Sequence, residues 1–171
     1  MWVSLALAFT LAACRPSRRP APPPSTTPNY CAEPSVIKLD KGWRFRTDRE
    51  NVGIAQEWHT SSLDESDWEP LAPGEAWEES GLEYDGVAWY RSAFTMPDWP
   101  AVYLGFGVVD DGATLWLNGQ RQMRWEAGDP DSEAQALSIS GLAQPGEQIA
   151  LALRVEDYGG YGGIKGPIVL S

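Results

Sequence analysis

Two alternating apolar segments, separated by an Asp-Asp-Gly sequence at residues 110–112, place the strongest constraint on how this chain can fold. Residues 102–106 and 113–117 each carry an apolar side chain at every second position, as a strand with one buried face does. The second segment ends in Asn-Gly at residues 118–119, a pair that tolerates the positive φ angles of a tight hairpin turn. The stretch therefore predicts two core strands and a turn in an antiparallel β-domain.

Alternating apolar segments also occur in the rest of residues 35–171. Short alternating segments separated by Gly, Pro and Asn predict seven or eight strands, including residues 36–39, 43–46, 88–95, 136–139, 149–155 and 167–170. Residues 47–86 lack a clear period and predict loops with short turns, and residues 121–133 are polar without a strand pattern. The predicted fold class is all-β, an antiparallel β-sandwich or jelly roll.

The N-terminal segment has the composition of an export signal. Residues 1–14 are apolar, too short for a membrane span of about 20 residues, and end in Leu-Ala-Ala-Cys. This ending resembles the lipobox of bacterial lipoproteins, which implies that the signal is removed and Cys14 is acylated. No Lys or Arg precedes the apolar run, so an incorrectly assigned start or a disordered N-terminus on a cytoplasmic protein remains an alternative.

Residues 15–34 are rich in Pro, Ser and Thr and predict a disordered tether between this anchor and the domain at residues 35–171. We therefore expect an extracytoplasmic protein of the bacterial cell envelope, attached to a membrane through its lipid only. With Cys14 acylated, Cys31 has no partner for a disulfide within the chain.

The charge balance excludes nucleic acid as an expected partner. The chain has 13 basic and 24 acidic residues, and a net charge of −11. The tether contains three arginines and one glutamate, so residues 35–171 hold ten basic against 23 acidic side chains. Such an anionic surface repels phosphate backbones. The tether arginines are suited to anionic lipid head groups beside the anchor.

Several motifs in a fixed order point to one family. They are GWRF at residues 42–45, DW at 67–68, DGVAWYRSAF at 85–94, MPDW at 96–99, FGVVDD at 106–111, ATLWLNG at 113–119, PGE at 145–147, LRV at 153–155 and GGI at 162–164. This order resembles the N-terminal sugar-binding domain of glycoside hydrolase family 2, which includes β-galactosidases, β-glucuronidases and β-mannosidases. The resemblance implies a galactose-binding-domain-like jelly roll. The family's two catalytic carboxylates lie in a following (β/α)8 barrel, which typically needs about 250 residues, so we expect this chain to be non-catalytic.

The resemblance also suggests where a sugar would bind. In the family, the loop before the WYR-like strand and the loop before the GGI strand meet at the domain edge, which implies Asp85 and Asp157 as ligand-binding carboxylates. Tyr84, Tyr158 and Tyr161 flank these positions, and their rings are suited to stacking on the C–H face of a sugar. Asp and Gly are also common in loops for purely conformational reasons.

Trp125, between two charged residues, is predicted to be exposed as a further sugar platform, or else to cover the edge of the sandwich. Asp110 and Asp111 are candidate ligands of a structural Ca²⁺, and no other cofactor is expected. His59 is the single histidine and lies in a polar loop, which argues against a Ser-His-Asp triad or a His-based zinc site.

Five strand residues have a structural interpretation. Trp43, Trp89 and Trp116 are predicted to lie in the core or at its rim, because large aromatic side chains dominate core burial. Arg91 and Arg154 are predicted to pair with buried carboxylates.

Three functions remain open. The first is binding of an oligosaccharide or polysaccharide through loop carboxylates and aromatic rings. The second is a scaffold role, in which the same edge binds an envelope protein and has no sugar affinity. The third is a small jelly-roll glycosidase in which Asp85 and Asp157 face each other at about 5 Å, the separation of a retaining carboxylate pair.

Overall fold

Short antiparallel strands form the secondary structure, as the alternating segments predict. The computed structural model describes residues 35–109, 111–126 and 135–171, all of which belong to the unit Pro34–Ser171. The signal at residues 1–14 with Cys14 and the tether at residues 15–34 lie outside the described residues. No helix in the described part of the chain has the length and hydropathy needed to cross a membrane.

Eleven strands are present in the described residues. They are β1 (Ile37–Lys38), β2 (Arg44–Thr47), β3 (Gly86–Thr95), β4 (Tyr103–Gly105), β5 (Val108–Val109), β6 (Gly112–Leu117), β7 (Gln120–Trp125), β8 (Ala136–Ser138), β9 (Gln148–Asp157), β10 (Ile164–Lys165) and β11 (Val169–Leu170).

The strands form two main sheets and a small one. The five-stranded sheet has the order β2-β3-β9-β6-β7, the four-stranded sheet has the order β1-β11-β4-β8, and β10 pairs with β5. All of these pairs are antiparallel. The longest pair is β3 with β9, in register from Gly86↔Asp157 to Thr95↔Gln148. The predicted all-β antiparallel sandwich is confirmed.

The main core lies between the four-stranded and five-stranded sheets. Leu104 of β4, Leu115 of β6 and Leu153 of β9 are fully buried and belong to one apolar cluster. Because side chains alternate between the two faces of a strand, every second residue of these segments points into this cluster. The alternation at residues 149–155 therefore predicts the inward face of β9 correctly.

The outer face of the five-stranded sheet is also buried, under the long loop between β2 and β3. Trp58 and Trp68 of this loop pack against Trp89 and Trp116 of the sheet. Ring centroids lie 5.3 Å apart for Trp58 and Trp68, 6.1 Å for Trp58 and Trp89, and 5.2 Å for Trp89 and Trp116. The prediction that residues 47–86 form loops and turns is confirmed, and their tryptophans make them a second packing layer.

The two strand arginines are buried beneath or beside this layer. Arg91 donates to the carbonyl oxygens of Trp58 at 2.5 Å and Thr60 at 2.9 Å, and its Nε lies 3.4 Å from a carboxylate oxygen of Glu65. Arg154 is paired with Glu156. The predicted pairing with a buried carboxylate is confirmed for Arg154, whereas the carboxylate beside Arg91, that of Glu65, is half-buried.

The turn at residues 118–119 forms as expected after the second core strand, and it opens a hairpin whose second strand the sequence did not predict. Asn118 and Gly119 have φ angles of 50° and 77°, and they connect β6 to β7. The prediction that residues 121–133 lack a strand is therefore wrong for β7. The two alternating segments around residues 110–112 both form strands, but β4 and β6 belong to different sheets and do not pair with each other.

Trp125 is buried, which corrects the prediction of an exposed platform. It is 2 % exposed, and its ring lies 5.2 Å from that of Phe106. Pairing shifts by one residue between Leu115 and Trp116, so that Ala113 lies opposite Trp125. A one-residue shift moves a side chain to the other face of a sheet, and this bulge turns Trp125 into the core.

Candidate functional site

The start of β3 and the end of β9 place the two candidate aspartates at one end of the sandwich. Gly86 and Asp157 are paired across these strands, and Asp85 immediately precedes Gly86. Asp85 is exposed, whereas Asp157 is only 2 % exposed. The glycine-rich loop at residues 158–163 continues from β9 at the same end. We call the surface formed by residues 78–85 and 157–163 the β3–β9 end.

Asp157 is held in an environment that disfavours its charge. Its Oδ1 accepts a hydrogen bond from the backbone N–H of Gly159 at 2.9 Å, while Oδ2 is buried without a hydrogen-bond partner among the described residues. Burial raises the pKa of the Asp157 carboxyl, and the negative charges of Asp85, Glu78 and Asp111 add to this rise. These carboxylates are therefore close enough to act on the charge of Asp157.

Glu78 joins this end of the sandwich, which sequence reasoning missed. Its Oε2 accepts a hydrogen bond from the backbone N–H of Gly162 at 3.0 Å, and its Oε1 is buried without a partner among the described residues. A pocket of about 270 Å³ opens beside it, lined by Glu78, Glu79, Glu83, Gly160 and Tyr161. Glu78 lies in the aperiodic loop between β2 and β3, so no strand pattern could have indicated its position.

Tyr161 and Tyr158 are both exposed, at 60 % and 72 %. Tyr161 lines the pocket beside Glu78, as a stacking residue would have to. Tyr158 turns instead to the outer face of the five-stranded sheet, where its hydroxyl donates to Glu156 at 2.8 Å and its backbone N–H donates to Asp111 at 2.5 Å. The structure therefore brings Tyr161, and not the hydroxyl of Tyr158, to the pocket.

Tyr84 is a structural residue, which corrects the expectation of an available stacking ring. It is 8 % exposed, and its hydroxyl donates to the carbonyl oxygen of Val87 at 2.9 Å. Its ring centroid lies 5.9 Å from that of Trp77, and the guanidinium of Arg49 lies 4.6 Å from the ring. Because Trp77 and Arg49 cover its ring, Tyr84 is not available to a sugar, and its hydroxyl holds the loop that precedes β3.

Asp111 is already engaged by the backbone, since its Oδ2 accepts the Tyr158 N–H, and Asp110 lies outside the described residues. In the ranges that the structure describes, no three His, Cys, Asp or Glu side chains are grouped as ligands for one metal ion. A structural Ca²⁺ at Asp110 and Asp111 therefore stays a prediction from the sequence.

A larger cavity of about 420 Å³ lies along residues 46–58, and Arg46 and Trp58 are among its lining residues. The guanidinium of Arg46 lies 5.0 Å from the centroid of the Trp58 ring and 3.0 Å from Asp67. The charged side chains that line this cavity are thus of both signs, and Arg46 among them is already paired with a carboxylate. We favour the smaller pocket because one carboxylate oxygen of its lining, Glu78 Oε1, is buried and has no hydrogen-bond partner among the described residues.

Comparison with known proteins identifies β-glucuronidases as relatives. The chain is 26% identical over 121 residues to a β-glucuronidase of Paenibacillus borealis, which covers 67% of this chain and 20% of that protein. A crystal structure of Ruminococcus gnavus β-glucuronidase superposes with a TM-score of 0.65 at 18% identity, over 80% of this chain and 28% of that one. No family model matches the chain.

Two further solved structures give the same result. A β-glucuronidase from an uncultured Clostridium has a TM-score of 0.65 at 20% identity, over 80% of this chain and 28% of that one. The R. gnavus enzyme in complex with D-glucuronic acid has a TM-score of 0.63 at 19% identity, over 80% of this chain and 29% of that one. The chain thus shares the fold of one part of these enzymes and spans about a fifth of the length of the P. borealis β-glucuronidase.

Proposed function

We propose that this protein binds carbohydrate, without catalysis, at the β3–β9 end. One observation carries the proposal: Glu78, Asp85 and Asp157 gather at one end of the sandwich, beside a pocket that includes the exposed ring of Tyr161. Ionised carboxylates accept hydrogen bonds from sugar hydroxyls, and an aromatic ring packs against the C–H face of a sugar.

The expected affinity is low. Each hydrogen bond exchanged from water contributes about 1 kcal/mol, and the pocket offers few polar groups and one ring. Two or three such contacts with stacking correspond to a dissociation constant on the order of millimolar. This is the strength of a site that gains from several copies of the same sugar unit along one chain.

The comparisons support a carbohydrate ligand in general terms. The neighbours are β-glucuronidases, and one of them is seen in complex with D-glucuronic acid. Because this chain spans only a fraction of their length, the activity of the whole enzymes is not carried over. Because Asp157 is 2 % exposed, direct contacts with a sugar fall to Asp85, Tyr161 and the pocket carboxylates, and hydrolysis by an Asp85–Asp157 pair is disfavoured.

A glycan-array screen of the full chain tests the proposal. We expect selected glycans to bind, and Asp85→Ala with Tyr161→Ala to abolish that binding while the fold is retained. Tyr103→Ala is the matched control, because Tyr103 is also exposed, at 45 %, but lies on the four-stranded sheet. A folded chain that binds no glycan would contradict the proposal and favour an envelope protein as the partner.

Attachment to the cell envelope through an acylated Cys14 is the second part of the proposal, and it rests on the sequence alone. The expected result is incorporation of a radiolabelled fatty acid by the wild-type chain and none by Cys14→Ala. Labelling of Cys14→Ala at the wild-type level would contradict the anchor.

A further inference from the structure

The β3–β9 end carries charge of one sign on the residues that form its pocket and loops. Five of its side chains are acidic: Glu78, Glu79, Glu83, Asp85 and Asp157. Lys165 approaches from β10, where its ammonium lies 5.9 Å from the centroid of the Tyr161 ring. This contact shows that the ring of Tyr161 already accepts a positively charged group.

The carboxylates of Glu78 and Asp157 both lie beside Gly162, and each has one oxygen without a hydrogen-bond partner among the described residues. Glu78 accepts the Gly162 N–H through Oε2, and the Oδ2 of Asp157 lies 2.6 Å from the position that a Cβ on Gly162 would occupy. Asp157 Oδ2 and Glu78 Oε1 are buried and have no hydrogen-bond donor among the described residues. An unpaired buried carboxylate oxygen is costly, so a positive charge bound beside this loop would be stabilising.

The size of the pocket limits what can enter it. At about 270 Å³ it lies slightly below the 300–1,000 Å³ typical of small-molecule sites. This volume suits a single sugar unit better than a folded peptide segment. The occupant must therefore combine the size of one sugar with groups that donate hydrogen bonds to several carboxylates.

We infer that the sugar bound at the β3–β9 end carries a positive charge, as in a glycan of glucosamine or another amino sugar. The inference rests on the proposed function and names its ligand class. An ammonium group is a cation with three hydrogen-bond donors, which matches the exposed carboxylates of Glu79 and Glu83 in a negatively charged pocket. A uronic acid, by contrast, brings a second negative charge next to Glu78, Glu79 and Glu83 and is disfavoured.

Two oligosaccharides with the same linkage and length, one with free amino groups and one with neutral N-acetyl groups, give the sharpest test. Isothermal titration of the full chain with a β-1,4-linked glucosamine hexamer is compared with its fully N-acetylated counterpart, and a galacturonic acid hexamer is the anionic control. Exposed ion pairs contribute about 0.2–1 kcal/mol each, so two or three of them give a preference of about tenfold for the amino hexamer. The galacturonic acid hexamer is expected to bind most weakly.

Two double variants separate a specific site from general attraction to an acidic protein. Glu79→Gln with Glu83→Gln removes two charges from the pocket wall and should abolish the preference for the amino hexamer. Glu57→Gln with Asp98→Asn removes two exposed charges elsewhere and should leave the preference unchanged. An equal loss of preference in both double variants would overturn the inference, because it would show non-specific charge attraction.

The remaining outcomes distinguish the inference from the proposal beneath it. Equal or tighter binding of the N-acetylated or anionic hexamer, lost on Tyr161→Ala, would overturn the amino-sugar inference and leave carbohydrate binding intact. No binding of any glycan by the folded chain would overturn both. Binding of basic peptides in place of glycans would likewise overturn both and would identify a protein partner.

Discussion

Glu156 and Asp157 are consecutive residues of β9, so their carboxylates lie on opposite faces of the five-stranded sheet, and their pKa values shift in opposite directions. Glu156 faces outward, where Arg154 and the hydroxyl of Tyr158 bind it. These partners outweigh burial and lower the pKa of Glu156. Asp157 faces inward beside Gly162, where burial and neighbouring negative charges raise its pKa. The ionised carboxylate of Glu156 therefore stabilises the folded protein, and that of Asp157 destabilises it.

Removing the charge of Glu156 should destabilise the protein at neutral pH. A carboxyl with a lowered pKa in the folded state contributes stability above its unfolded pKa, near 4.5, and loses it as the pH falls through the folded pKa. We expect Glu156→Gln to lower the free energy of unfolding by about 1.5–3 kcal/mol at neutral pH, the range for a hydrogen bond to a charged group.

Urea unfolding at a series of pH values measures this effect, and the difference between Glu156→Gln and wild type should shrink in acid. The control is Glu126→Gln, because Glu126 pairs with Arg124 at 3.2 Å on the surface, with a side chain that is 74% exposed. Exposed pairs contribute at most about 1 kcal/mol. Equal destabilisation by the two variants would contradict the burial of the Arg154–Glu156 pair.

Asp157→Asn should change the free energy of unfolding at neutral pH in the opposite direction to Glu156→Gln. A carboxyl with a raised folded pKa is least costly below its unfolded pKa, near 3.8, and its penalty grows as the pH rises through the folded pKa. The amide can still accept the Gly159 N–H, so the variant should be at least as stable as wild type at neutral pH and should lose this advantage in acid. Thermal unfolding across pH measures it, and lower stability of Asp157→Asn at neutral pH would contradict the raised pKa.

A methyl group at Gly162 should disturb the binding loop. A Cβ there would lie 2.2 Å from Trp77 and 2.6 Å from Asp157 Oδ2. We expect Gly162→Ala to cost about 1–3 kcal/mol through overpacking and to weaken glycan binding. At Gly105 the nearest contact of a Cβ is a Val169 methyl at 3.1 Å, so Gly105→Ala is the control in calorimetric unfolding. Equal stability of Gly162→Ala and wild type would contradict the close packing of the loop.

Trp125→Ala should behave as a core substitution and not as loss of a sugar platform. We expect it to lower the free energy of unfolding by about 3–5 kcal/mol, whereas Tyr103→Ala should cost clearly less because Tyr103 is 45 % exposed. Denaturant unfolding gives both values. A Trp125→Ala chain that unfolds like wild type but binds glycan more weakly would contradict the burial of Trp125.

The difference between Leu153 and Trp125 shows what sequence reasoning could reach. Leu153 lies in a long alternating segment, and its burial in β9 follows from the period alone. The burial of Trp125 depends on a single bulge between Leu115 and Trp116, and no turn or periodicity signal marks that position. The β-sandwich could therefore be predicted, while the face of one edge-strand residue could not.

The candidate site likewise has residues that the sequence could predict and one that it could not. The family resemblance predicts that Asp85 and Asp157 lie close together, and the register Gly86↔Asp157 brings them to one end of the sandwich. Glu78 could not be predicted there, because it lies in a loop whose path is set by tertiary contacts such as the packing of Trp58 on Trp89. Periodicity carries no information about such a loop.

The most direct test of carbohydrate binding at the β3–β9 end is a nuclear magnetic resonance titration. The ¹⁵N-labelled full chain is titrated with the best glycan from the array, and the amide shifts are mapped onto the sequence. We predict that the largest changes fall on residues 157–163 and 78–85. Changes centred on the groove at residues 46–58, or no changes at saturating glycan, would contradict the account.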